Sequence, residues 1–422
     1  MGLGRFGGGV AAARWLARQG AVLTVTDLRD EAALADSLAA LEDVPVARLH
    51  LGGHREEDFC GADLVVVNPA VRPGNRFVQI ARETGARLTT EIELLIDHCP
   101  GTIIGVTGSN GKSTTAAMIA AILHVDGPRC WLGGNMGGSL LEKLRWMEPG
   151  DWTVLELSSF QLRRLGLNRP MPHVAVVTGC TPNHLDWHRD YAEYVAAKQR
   201  ILLMQTPHDL AVLNTLDEEV ALWEPLVRGR RVPLPPLEEI PELKVPGEHN
   251  RINAACAAAA ARAVGSTWEA IRDGLGGFAG LPQRLEQFTV IEGRRFYNDS
   301  ASTTPESTVA AIHSLEGPVW VLAGGKDKGL DSGNLAAMLV ERAAGAAFFG
   351  SVREVLKGWA SGCNPEFPCT ATETMADALR WCWDRSSPGD AVVLSPGFAS
   401  TDQFEDFRSR GAEFVRLAGA LA

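Results

Sequence analysis

Short apolar runs rich in β-branched residues alternate with stretches of helical period along almost the whole chain, which is the pattern of parallel sheets joined by crossover helices. The runs are Val22 to Thr26, Leu64 to Val67, Ile103 to Val106, Thr153 to Leu157, Val174 to Val177, Val319 to Leu322, Ala346 to Phe349 and Val392 to Leu394. Each ends near Gly, Asn, Ser or Asp, as a buried strand does when its C-terminal end opens into a functional loop. The periodicity predicts helices between them, among others Val10 to Gln19 and Ser113 to Leu123. The fold class is therefore α/β. Breaks at Thr89 to Pro100 and at the Gly-rich Gly274 to Pro282 predict three domains, 1–90, 91–280 and 281–422. The stretch Val232 to Pro246 holds five prolines and is expected to be a loop, since prolines cannot continue a helix or a central strand.

A length of 422 residues exceeds what one core organises, in keeping with several domains. The hydrophobic fraction of 45% and charged fraction of 22% are those of an ordinary globular protein. A formal net charge of -11 argues against sequence-independent binding to nucleic acid or an anionic membrane. The eight cysteines are scattered without a CxxC pair and read as reduced thiols. No signal-peptide pattern and no apolar run near membrane-spanning length is visible, so a cytoplasmic location is expected.

The sharpest chemical signal is Thr107-Gly108-Ser109-Asn110-Gly111-Lys112-Ser113-Thr114, which follows a strand and opens a helix. Glycines there let backbone N–H groups close on phosphate oxygens, Lys112 brings a cation to the β/γ-phosphates, and Ser113 offers a hydroxyl to Mg²⁺. The expected ligand is ATP, although Val106 stands where the general pattern has its first glycine. Glu156 ends a neighbouring strand, where a carboxylate can hold Mg²⁺. On chemistry alone His184 could equally be structural, Lys198 an ordinary helix charge, and Asn250 a helix cap.

The TG-S/T-NGK-S/T form of this loop resembles that of the Mur ligases and the related folylpolyglutamate synthases. Further segments follow in the Mur order: Gly134-Asn135-Met136-Gly137, Leu155-Glu156-Leu157-Ser158-Ser159-Phe160-Gln161-Leu162, Asn183-His184-Leu185-Asp186, Tyr194 to Ile201, and Gly247-Glu248-His249-Asn250-Arg251-Ile252-Asn253. The resemblance implies a Rossmann-like N-terminal domain, a P-loop ATPase-type central domain and a Rossmann-like C-terminal domain. It also implies catalysis by Lys112, Glu156, His184 and Lys198, with Lys198 carbamylated. Two Mg²⁺ ions would lie on Ser113, Glu156, His184 and Lys198, ATP on residues 108–114 with Asn250, Asn253, Arg284 and Asp299, and substrate on Asn135 and Ser158.

Gly2, Gly4 and Gly7 form GxGxxG ahead of an Ala-rich helix, with Asp27 ending the next strand run. Alone this is a weak dinucleotide fingerprint, and an NAD-dependent oxidoreductase is one reading of it. In the resemblance the same fold holds UDP, with Arg5, Phe6, Asp27, Leu28 and Arg29 near the nucleotide. Such a unit opens with a strand before its glycines, whereas the chain begins at Met1. The expectation is that the recorded start lies downstream of the real one; the other reading is a domain without its central strand.

Toward the C-terminus, Arg284 in LPQRLE, Tyr297-Asn298-Asp299-Ser300 and Ala323 to Gly329 resemble further Mur segments. Leu394 to Phe404, then Phe407 and Arg410-Gly411, resemble the tail of the glutamate-adding members. Thr303, Lys328, Ser400 and Phe407 would then contact glutamate. Ala301 stands where those members carry a lysine for a substrate carboxylate, so D- and L-glutamate both stay open. The implied reaction phosphorylates the carboxylate of UDP-N-acetylmuramoyl-L-alanine with ATP, and glutamate's amine displaces phosphate from the acyl phosphate, in a monomer without nucleic-acid or membrane partners. Closure of the C-terminal domain would exclude water. A folylpolyglutamate-type ligase and a binding-only relative are the competing readings; the N-terminal unit and DQF tail oppose the first, Lys112 and Glu156 the second.

Overall fold

In the N-terminal segment, β1 (Leu23–Thr26) pairs in parallel with β2 (Val46–His50), and β3 (Leu64–Val66) pairs in parallel with β4 (Arg87–Thr89). The structure, a computed structural model, describes residues 1–422 except 6, 128, 167–170, 186, 327–331 and 422. The two strand pairs form separate sheets. Residues 1 and 2 lie between them: the Gly2 N–H donates to Thr26 O (2.8 Å) and the Asn68 N–H donates to Met1 O (3.1 Å). Val22, expected to begin a strand, is 88% exposed and outside it, because the turn at Gly20 (φ 84) follows the helix Gly8–Arg18 and delivers it to the surface.

The middle of the chain builds a six-stranded, wholly parallel sheet in the order β10-β9-β8-β5-β7-β6. Its strands are β5 (Thr102–Thr107), β6 (Cys130–Gly134), β7 (Trp152–Glu156), β8 (Val174–Val177), β9 (Leu210–Leu213) and β10 (Arg230–Val232). β5 lies between β7 and β8, and its near-continuous apolar run is what a strand covered on both faces requires. The Pro-rich stretch after β10 is a loop with one 3-10 turn at Leu237–Glu239.

Ala11, Ala12 and Ile92 belong to the same apolar core as Leu155 and Val177 of the central sheet. The Trp15 ring stands edge-on to His98 (4.7 Å between centroids), and Arg18 binds Glu142 at 2.8 Å. Residues 1–181, 190–240 and 253–275 therefore pack as one compact unit. Packing alone gives two units where the breaks in the sequence predict three domains, because the first helices bury their apolar faces on the central core.

The second unit comprises 182–189, 241–252 and 276–422. Its strands are β11 (Glu286–Ile291), β12 (Arg294–Asn298), β13 (Val319–Gly324), β14 (Gly345–Phe349), β15 (Cys369–Ala371) and β16 (Ala391–Gly397). They order as β11-β12-β16-β13-β14-β15, parallel except for β11, with apolar clusters on both faces. β16, last in sequence, is inserted between β12 and β13, which makes a topological switch point, the place in such sheets where ligands bind beyond the strand ends. The loops there are tied together: the Gly397 N–H donates to Ser302 O (3.0 Å) and the Lys326 N–H to Ala399 O (2.7 Å).

Candidate active site

The glycine loop leaves β5 and enters the helix Lys112–Asp126 through Gly111, whose αL conformation (φ 80) suits a residue without Cβ. A Cβ at Gly111 would sit 2.3 Å from Asn253 Oδ1, and one at Gly108 would sit 2.0 Å from Thr178 Oγ1. The loop is therefore pressed against its supports. Thr178 Oγ1 donates to Asn110 O (2.6 Å). The Ser109 N–H donates to Gly179 O (2.8 Å), while Ser109 Oγ donates to Thr181 O (2.8 Å) and meets Tyr194 Oη at 2.9 Å. Both polar groups of Ser109 thus anchor the loop from below. Lys112 Nζ donates to Ser109 O (2.7 Å), so the ammonium lies along the loop, as a phosphate-binding lysine at a helix N-terminus does.

Ser113 Oγ donates to Glu156 Oε2 (2.6 Å), and Asn135 Nδ2 donates to Glu156 Oε1 (3.0 Å). Glu156 is 2% exposed and, among the described residues, has no Lys or Arg in ion-pair range. A buried carboxylate whose only partners are a hydroxyl and an amide is strongly unfavourable unless a cation joins it. Beneath the loop, Lys198 is 1% exposed, donates to Gly108 O (2.5 Å) and lies 4.7 Å over the Tyr194 ring. Burial, and then the Lys112 ammonium, push its amine well below the ordinary lysine range. A neutral amine is nucleophilic, which is the condition for carbamylation.

Other expected site residues fall in separate places. Asp27 is buried and accepts from the Gly4 and Arg29 N–H groups (both 2.9 Å), which shapes the turn around the first glycines; Arg5 and Arg29 are exposed. Ser158 caps the helix Ser159–Arg164 in a reciprocal box with Gln161. Thr114 is half-buried on the helix that Lys112 opens. Asn250 is the third residue of the helix Glu248–Ala263 and not its cap; its amide donates to Pro246 O (2.7 Å). His184, at φ 56, lies in 182–189, grouped with the second unit. Phe6, Asp186 and Lys328 lie outside the described residues.

In the second unit Asp299 accepts from Leu285 N–H (3.0 Å) and Ser395 Oγ (2.6 Å), and burial raises its carboxyl to about 6. Arg284 is exposed and close enough to oppose that rise. Ser400 is buried, Thr303 and Phe407 half-buried, at the loops beyond β12 and β16. Among the described residues no group of three or more His, Cys, Asp and Glu is placed to hold a metal. Ser113 and Glu156 are the pair at the loop that could hold a cation.

The family model for the Mur ligase middle domain matches residues 106–234, and that for the MurD-like N-terminal domain matches 1–90. A UDP-N-acetylmuramoylalanine--D-glutamate ligase from Roseiflexus sp. (strain RS-1) is 36% identical over 99% of this chain and 97% of its own. One of the same description from Geobacillus kaustophilus (strain HTA426) is also 36% identical, over 98% of this chain and 95% of its own. This chain belongs to the Mur ligase family. Among solved structures, a UDP-N-acetylmuramate-alanine ligase from Thermotoga maritima shares the Mur ligase fold at TM-score 0.65 and 18% identity, covering 100% of this chain and 98% of that one. E. coli FolC in complex with DHPP and ADP aligns at TM-score 0.57 and 18% identity, over 78% of this chain and 92% of that one.

Two supports of the glycine loop, Thr178 and Tyr194, are not among the site residues expected from the sequence. Thr178 and Tyr194 brace the P-loop from positions 68 and 85 residues away. For Tyr194 the signals are its place at the head of the segment Tyr194 to Ile201 and its helical spacing, since Tyr194 and Lys198 stand four apart on the helix Tyr191–Leu203 and so share a face.

Proposed function

We propose that this chain is the ligase that adds D-glutamate to UDP-N-acetylmuramoyl-L-alanine at the expense of ATP, giving the dipeptide-bearing nucleotide, ADP and phosphate for peptidoglycan synthesis. Near-full-length relatives described as D-glutamate ligases support this reading. The observation that carries the chemistry is the buried Glu156, joined to the Ser113 hydroxyl of the P-loop with no ion pair among the described residues. That pair fits Mg²⁺, which prefers a carboxylate, a hydroxyl and substrate phosphate oxygens. Bound there, Mg²⁺ would neutralise phosphate charge as the γ-phosphoryl group leaves.

The chain's own work is positioning and charge compensation. Lys112 and the loop N–H groups bind the β/γ-phosphates, while Asn135 fixes the orientation of Glu156. The substrate carboxylate attacks the γ-phosphorus, forming an acyl phosphate and releasing ADP. The amine of glutamate then attacks the acyl carbon, phosphate leaves, and the amine gives up a proton. Lys198, as a neutral amine, would add CO₂ and lose one proton, becoming a carbamate able to hold a second Mg²⁺. His184 would order the acyl phosphate. Residues 1–90 would hold the uridine nucleotide, 91–280 ATP and 281–422 glutamate.

Phosphate release with UDP-N-acetylmuramoyl-L-alanine and ATP tests the reading directly. Release is expected with D-glutamate and not with L-glutamate. Turnover of the L-isomer would show that the alanine at position 301 marks a change of stereochemistry, and no turnover with either would refute the proposal.

A further inference from the structure

Arg410 is fully buried (0% exposed), although it lies near the start of the helix Phe407–Gly419, the positive end of the helix dipole. A cation in that place is doubly disfavoured, so whatever retains it must bond well. Nε donates to Ser300 Oγ (3.1 Å), Nη2 to Ser300 O (2.9 Å), and Nη1 to Phe398 O (3.0 Å) and, at the limit, Gly324 O (3.5 Å). These oxygens come from the segments following β12 and β16 and from the last residue of β13, the adjacent strands at the switch point. Gly325 passes directly over the group: a Cβ there would lie 3.2 Å from Nη1 and 2.2 Å from Ala399 O. Ser300 Oγ in turn donates to Phe407 O (2.7 Å). No carboxylate among the described residues reaches ion-pair range, though Asp402 and Asp299 favour the charged form. Burial lowers the guanidinium only to about 9, so it remains a cation at neutral pH.

We infer that Arg410 is a positioning residue for the amino-acid substrate, fastening the ends of three adjacent strands around Thr303, Ser400 and Phe407 and placing a fixed positive charge beneath them for the incoming carboxylates. This rests on the function proposed above. A lysine retains the charge but not the fork that reaches several loops at once. Arg410→Lys should raise KM for D-glutamate by roughly tenfold or more, leaving KM for ATP and for the nucleotide sugar within about threefold. Ser300→Ala, which removes the Nε acceptor and the link to Phe407, should shift the same constant by about threefold. Guanidinium chloride at millimolar concentration should partly restore Arg410→Ala and leave Ser300→Ala unchanged.

An unchanged glutamate KM in a folded Arg410→Lys enzyme would overturn the inference. So would a parallel rise of all three KM values with a fall in thermal midpoint, the mark of a merely structural residue. If Arg410→Lys does not fold, an unchanged glutamate KM in Ser300→Ala overturns it instead. Absence of D-glutamate-dependent turnover in the wild type would sink the proposed function, a different result from normal wild-type turnover with an unselective Arg410 variant.

Discussion

Each unit buries one basic side chain against backbone carbonyls without a carboxylate in contact, and the two are handled in opposite ways. Lys198 has one hydrogen-bond acceptor, Gly108 O, and the face of Tyr194, and its amine is pushed far toward the neutral form. Arg410 has acceptors on the two loops after β12 and β16 and, at the limit, on the last residue of β13, and keeps its charge. The difference follows from the groups themselves: an ammonium can shed its proton when desolvated, whereas a guanidinium keeps its proton and spreads its charge over several donors. A lysine placed this way is a group whose charge chemistry can change, and an arginine placed this way is a fixture.

The comparison breaks first at Lys198→Arg, which makes that site resemble the other. Loss of kcat by about a thousandfold is expected, on the order of 4 kcal/mol of transition-state stabilisation. Carbon-13 NMR after incubation with labelled bicarbonate should show a carbamate signal in the wild type and none in the variant. Activity within tenfold of wild type would mean that the neutral amine is incidental. Next, Glu156→Gln should cost about a hundredfold in kcat and raise the Mg²⁺ concentration needed for half-maximal rate, since the buried anion facing Ser113 is gone. An unchanged Mg²⁺ requirement would separate that acid from the metal.

Glu91 offers a control outside both sites. Burial raises its carboxyl to about 7, opposed only by the Ser139 hydroxyl. The fold favours the protonated form, so this contribution to stability is complete below the ordinary value of 4.5 and is lost as pH rises through about 7. Glu91→Gln should be more stable than wild type at pH 8 by on the order of 2 kcal/mol, with no gain at pH 4. Denaturant midpoints at the two pH values decide it. The smallest effect is expected from Tyr194→Phe, which removes the bond to Ser109: about 1 kcal/mol of stability and a few-fold rise in KM for ATP. No change in that KM would mean the loop keeps its shape without the tyrosine.

The phosphate loop was legible because its chemistry is contiguous: glycines, lysine and serine sit within eight residues between a strand and a helix. Buried parallel strands were legible for the same reason, as continuous apolar runs such as β5 and β13. Edge strands were not. β10 and β15 are only three residues long, and β10 reads Arg-Arg-Val, with no apolar run to mark it. Supports of the site also stayed hidden, because Thr178 meets Asn110, Tyr194 meets Ser109 and Arg410 meets Ser300 across 68, 85 and 110 residues. Packing contacts are a separate matter: the apolar face of the first helix, with Ala11 and Ala12, belongs to the central core, which no break in the sequence pattern marks.

Gly108 and Ser109, neighbours in the phosphate loop, are tethered by two side chains one turn apart on a single helix, Lys198 and Tyr194. Attaching CO₂ to Nζ would leave that nitrogen one proton and turn the tether from a neutral amine to an anion, so the pull on Gly108 O would change while the pull on Ser109 would not. Nucleotide affinity is thereby expected to vary with dissolved bicarbonate, making the loop a reporter of the gas content of its surroundings.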